Sequence, residues 1–183
     1  MIRRPPRSTL SPSSAASDVY KRQKLTMNDA ERAFKNWLEN HNIPYFYIEQ
    51  SPETFSGVFR SIAKRPDFLV VIRHLGIIAV DVKSQTINPN TGHKDFVLDE
   101  ENEVKKYIEF EKITRLPVWI VFGKPEENYN AWYWIPLFKI LEFPLRTSSR
   151  SGKPFRTIPT VDCIHINVKQ NEPISKLILG LIK

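Results

Sequence analysis

Apolar and polar positions along this 183-residue chain repeat with a helical period in some stretches and with continuous strand-like runs in others. Ala30, Ala33, Phe34, Trp37 and Leu38 share one helical face. They follow Asn28-Asp-Ala-Glu31, an Asx cap with Glu three positions on. His41-Asn-Ile-Pro44 stops that helix, and residues 45–49 are aromatic and β-branched, a short strand. Ser51-Pro52-Glu53 has the form of a second helix start, continued by Phe55, Val58, Phe59 and Ile62. Gly57 weakens that helix, and a structured loop is the alternative. Residues 68–72 and 77–83 are apolar runs joined by Arg73-His-Leu-Gly76, which reads as a hairpin. Residues 85–96 are polar, with Asn88-Pro-Asn-Thr-Gly92, and are expected to be a loop.

Asp99 is a cap for a helix to Thr114, carrying Val104, Tyr107, Ile108 and Glu111 at helical spacing. Residues 116–122 are a buried-type strand. The helix between two strands is then a crossover that makes them parallel. A strand at 131–134, a helical turn at 136–141, a polar basic loop at 148–157, a strand at 161–168 and a closing helix at 173–182 complete the pattern.

Composition changes this picture at the N-terminus. Residues 1–23 are rich in Arg, Pro, Ser and Ala with almost no large apolar side chains, and are expected to be disordered. The runs Ile2-Arg-Arg-Pro-Pro-Arg-Ser-Thr-Leu and Asp18-Val-Tyr-Lys-Arg-Gln23 resemble the translated read-through of a sequencing adapter, so this stretch is read as a non-native tail. A genuine basic tail that contacts nucleic acid is the alternative. The chain carries 27 basic and 20 acidic residues, a net +7. The tail holds Arg3, Arg4, Arg7, Lys21 and Arg22 against Asp18, which leaves a mild +3 for the rest. Bulk charge therefore says little about nucleic acid.

Residues 24–183 fit one domain, with a core at about 28–122 and an extension from 123 to 183. The lone Cys163 excludes an internal disulfide framework. No apolar run approaches the roughly 20 residues of a membrane span, and a soluble cytoplasmic protein is expected.

Chemistry concentrates on the hairpin. A turn near residues 74 and 75 sets Asp67 opposite position 81 or 82. Asp81 and Lys83 share a face, Gln85 continues it, and Val80 and Val82 point the other way toward a core. Neighbouring carboxylates repel unless a cation neutralises them. Mg2+ suits one or two carboxylates plus water and phosphate oxygens. It also acidifies a bound water, and an adjacent ammonium positions that water or stabilises the transition state.

Arg65-Pro-Asp67-Phe and Ala79-Val-Asp81-Val-Lys83-Ser-Gln85 resemble the PD-(D/E)xK nuclease superfamily, over residues 28–122 or so. The resemblance implies a restriction-endonuclease-like, Holliday-junction-resolvase-like α/β fold: a mixed sheet flanked by helices with an α-β-β-β-α-β core. It implies an endonuclease that hydrolyses DNA phosphodiester bonds with Mg2+ or Mn2+. Asp67 and Asp81 would be metal ligands, joined by a first-helix glutamate, here Glu31. Lys83 would serve the attacking water, and Gln85 would support it. Nucleases of this kind often use two active sites for two strands, which makes a homodimer one possible assembly. The alternative is a non-catalytic nucleic-acid-binding or assembly module with the same fold.

Glu31 has a competing role as a capping-box residue. Lys64 and Arg65 precede Asp67 and are candidate phosphate contacts, as are Arg146, Arg150, Lys153 and Arg156 of the basic loop. Trp119, Trp132 and Trp134 are expected in the core, and Cys163-Ile-His165 has no partner pair at zinc spacing.

Overall fold

The first helix, α1 (Asp29–Asn40), starts where the capping pattern places it. Asn28 Oδ1 accepts from the Glu31 N–H at 2.9 Å, and Ala30, Phe34, Trp37 and Leu38 are buried on one face. The computed structural model describes residues 27–51, 54–87 and 95–181. Residues 1–23 and the loop Asn88-Pro-Asn-Thr-Gly92 lie outside them. Among the described residues, no helix is long and apolar enough to cross a membrane.

β1 (Tyr45–Tyr47) follows α1. Helix α2 (Gly57–Ile62) starts after Ser56 instead of at Ser51. The reason lies in the preceding turn. Ser51 O accepts from the Thr54 N–H at 3.3 Å and from the Arg65 guanidinium at 3.2 Å, contacts that hold Ser51 and Thr54 in a separate turn.

β2 (Phe68–Ile72) and β3 (Gly76–Ser84) form the expected hairpin, with Phe68 opposite Val80 and Ile72 opposite Gly76. The turn between them uses left-handed backbone at His74 and Gly76. β4 (Asp95–Asp99) lies in sequence read as the end of a loop. Its Phe96 and Leu98 are buried while Val97 is exposed, a period-2 pattern too short to stand out beside polar sequence.

A π-helical turn (Glu100–Val104) leads into α3 (Lys105–Thr114), with the Lys105 N–H donating to Glu100 O. β5 (Val118–Gly123) pairs parallel with β3, as the crossover requires, and is buried along its whole length. β6 (Ala131–Pro136), α4 (Leu137–Ile140), β7 (Leu145–Thr147), β8 (Pro154–Pro159), β9 (Ile164–Asn167) and α5 (Lys176–Leu181) follow.

The main sheet has the order β1-β2-β3-β5-β6-β9 and is mixed, parallel only between β3 and β5. The expected α-β-β-β-α-β order runs from α1 to β5, with α2 and β4 inserted. Helix α1 covers one sheet face, where Phe34 packs against Phe68, Trp132 and Trp134. Helix α3 and a small sheet, β4-β8-β7, cover the other face around Ala79, Ile120 and Phe122. Trp119, Trp132 and Trp134 are core residues, as expected. The basic loop is instead the β7–β8 hairpin of the small sheet.

Candidate active site

Asp67 lies one step beyond the Phe68–Val80 pair, so it stands across the ladder from Asp81. The Val82 N–H donates to Asp67 Oδ2 at 2.7 Å, and the Gln50 amide donates to Oδ1 at 3.3 Å. Asp67 is 8% exposed and Asp81 only 2%. Burial, and then the Asp81 carboxylate, push the Asp67 carboxyl well above its ordinary range.

The Lys83 ammonium pairs with Asp81 Oδ2 at 2.7 Å and with Glu103 Oε1 at 2.7 Å. Lys64 repeats the pattern, 3.0 Å from Glu103 and 4.0 Å from Asp81. Its ammonium also lies 5.1 Å from the centre of the Tyr107 ring. Burial alone would lower the pKa of Lys83, but Asp81 and Glu103 outweigh it and the net shift is upward. Burial likewise opposes ionisation of Glu103, and Lys83 and Lys64 overcome it to hold that carboxyl low.

Glu31 reaches the same cleft from the opposite layer. One oxygen accepts from the Asn28 side-chain amide; the other, Oε2, is buried without a hydrogen-bond partner. Capping therefore occupies half of this carboxylate. Burial raises its pKa, the Asn28 N-cap opposes the rise, and Asp81 adds to it. Tyr47 is pushed up to about 12 by burial and by Glu31 and Asp67, so it stays a phenol beside them.

The cleft has a volume of about 780 Å³. Its centre gathers Glu31, Asp67, Asp81 and Glu103 against Lys64 and Lys83, and its rim carries Arg60, Arg65, Lys106 and Asp99. Among the described residues, no three acidic, His or Cys side chains converge closely enough to chelate one ion. Glu31 is held toward Asn28, and Asp81 toward Lys83.

The other expected site residues divide. Gln85 shares the face of Lys83, but its side chain does not line the cleft. Its amide donates to Val97 O at 2.6 Å, and its carbonyl accepts from the Val97 N–H at 2.9 Å, clamping β4 to the end of β3. Arg65 bonds Gln50, Thr54 and Ser51 and stacks over Phe55, so it braces the segment that carries Gln50.

Arg156 is not an available phosphate contact. Its guanidinium grips Glu100 at 2.7 and 3.3 Å and donates to the carbonyls of Leu141 and Phe143. Arg146, Arg150 and Lys153 remain exposed. The sequence pattern did not mark Glu103 or Gln50, and it marked Tyr107 only as a position on the apolar face of its helix.

No family model matches the chain, and no curated protein matches it in sequence. Among solved structures, it is similar to the Holliday junction resolvase Hjc of the archaeal hyperthermophile Archaeoglobus fulgidus. The identity is 15% and the TM-score 0.47, over 79% of this chain and 98% of that one.

Proposed function

We propose that this chain is a metal-dependent nuclease that hydrolyses phosphodiester bonds in DNA, with Asp67, Asp81 and Lys83 at its centre. The observation that carries the reading is the meeting of Asp67, Asp81 and Lys83 in one cleft at the end of the β2–β3 hairpin. Asp67 and Asp81 stand buried side by side, and a divalent cation would relieve their repulsion. The donor chemistry fits Mg2+ or Mn2+. Asp67 and Asp81 offer hard oxygen ligands, Glu31 Oε2 is a buried acceptor with no partner, and Mg2+ needs only one or two carboxylates with water filling the rest.

Bound there, the ion would act as a Lewis acid toward a phosphoryl oxygen and acidify a water. The chain's own residues supply the remainder. Lys83 stays protonated, so it donates hydrogen bonds to the attacking water or to the phosphoryl oxygen and does not act as a base. Glu103 and Asp81 fix the lysine from two sides. Lys64 adds a second positive charge beside the position where phosphate charge would build up.

The test is cleavage of DNA by the purified protein with and without Mg2+. Activity should depend on the ion, disappear in Asp81→Ala, and fall about 10²–10³-fold in Lys83→Ala, the scale for losing one stabilising donor. Cleavage that survives both substitutions overturns the assignment.

A further inference from the structure

The small sheet β4-β8-β7 has one buried and one outward face. Phe96, Leu98 and Ile158 point into the core. Cross-strand partners share a face, so Val97 with Thr157, and Asp99 and Arg146 with Phe155, form the outward one. Val97 is 44% exposed there and lies beside Phe155 on this face.

A groove of about 380 Å³ follows this face, lined by Val97, Phe155, Pro154, Lys153 and the β7–β8 turn serines. The β7–β8 turn on one side of it is basic, and Asp99 lies on the β4 side. Arg146, Arg150 and Lys153 are exposed and have no ion-pair partner among the described residues, and no acid occurs between Glu142 and Asp162.

The groove joins the cleft. Asp99 lines both, and its carboxylate accepts from the Asn102 N–H at 2.7 Å. Gln85, two residues beyond Lys83, clamps Val97 through both amide atoms. The outward face is thereby fixed to the strand that carries the candidate active site.

Resting on the nuclease reading, we infer that this face is a second nucleic-acid subsite, which takes an unpaired strand leading out of the cleft. Arg146 and Lys153 meet phosphates, and Val97 and Phe155 meet bases. A duplex offers only its sugar-phosphate exterior to such a surface, whereas an unpaired strand presents base faces that stack on an aromatic ring. The salt-sensitive cations and the apolar strip are then used together.

Binding of the full chain is measured by fluorescence anisotropy in EDTA, so that nothing is cut. The probes are a blunt DNA duplex and the same duplex with an oligothymidine extension of either polarity. An extension should tighten binding about tenfold or more, the scale of one stacked base. Phe155→Ala should remove most of that gain. The exposed double variant Arg146→Gln/Lys153→Gln, which leaves the core untouched, should lower the salt slope by about 1.4 on extended DNA, about 0.7 per phosphate. It should bind blunt duplex as the parent does.

An extension that adds nothing overturns the subsite, as does a double variant that loses blunt and extended DNA equally. Cleavage with Mg2+ separates this from the nuclease reading. Extension-dependent binding without cleavage sinks the nuclease and keeps the subsite, whereas cleavage with no extension effect does the reverse.

Discussion

Ion binding at Asp67 and Asp81 should be visible as heat stability, independently of any reaction. Both carboxylates are almost fully buried, and burial and then Asp81 raise the Asp67 pKa, so ionising both is costly unless a cation joins them. A cation that binds only the folded state at about 100 times its dissociation constant stabilises that state by about 2.7 kcal/mol. A domain of this size gains about 2–4 °C in Tm per kcal/mol, so the midpoint should rise by about 5–11 °C. Asp81→Asn keeps the shape and removes one ligand charge. Loss of an outer-sphere partner already weakens metal sites about 10–100-fold. A direct ligand should reach the upper end, leaving about 0.4 kcal/mol, or about 1–2 °C, at the same ion concentration. Differential scanning calorimetry in EDTA and in MgCl2 at matched ionic strength measures both increments. Equal increments in the parent and Asp81→Asn would place the ion elsewhere, and no increment in the parent would refute magnesium binding at these carboxylates.

Glu103→Gln should lower the cleavage rate by loosening Lys83 while leaving the Mg2+-induced Tm increment in place; loss of the increment would make Glu103 a ligand. Arg156→Met should destabilise the fold by about 3–5 kcal/mol in urea titration, because it strands the buried Glu100 carboxylate. A loss of DNA affinity in that variant with no loss of stability would return Arg156 to phosphate contact. The Cys163 thiol is pushed up to about 12 by burial and then by Asp162, so iodoacetamide should label it only after unfolding. Complete labelling of the native protein within minutes would contradict its burial.

The hairpin centre was legible because a short turn fixes register, and register fixes which side chains meet. A turn near residues 74 and 75 leaves Asp67 opposite position 81 or 82; the observed pairing of Ile72 with Gly76 selects Asp81, and Lys83 shares its side. Capping by Asn28 was legible for the same local reason, although only the fold shows that Glu31 keeps one oxygen in the cleft. Glu103 was hidden by the π-helical turn. One extra residue in that turn shifts the helical phase before Lys105, so the 3.6-residue pattern of α3 does not predict its direction. Arg156 misled because a charge inside a polar run reads as solvated. Its partner Glu100 is 56 residues away, and no local period reports that pairing. Gln85 followed the expected parity, but β4 lay in sequence read as loop, so its actual partner Val97 was not in view.

Charge also bears on the choice between the proposed nuclease and an inert module with the same architecture. A purely structural ion network in a buried position is stable only when each charge is matched, since an unmatched one costs several kcal/mol. The Arg156–Glu100 pair meets that condition, with every guanidinium nitrogen on an acceptor. The cleft does not. Lys83 and Lys64 are shared between Asp81 and Glu103, which leaves Asp67 with only amide donors and Glu31 with no ion-pair partner. The same chain thus neutralises one buried carboxylate fully and leaves two others under-compensated within one cleft. Stability alone gives no reason for that difference, whereas a divalent cation and a phosphate drawn into the cleft do.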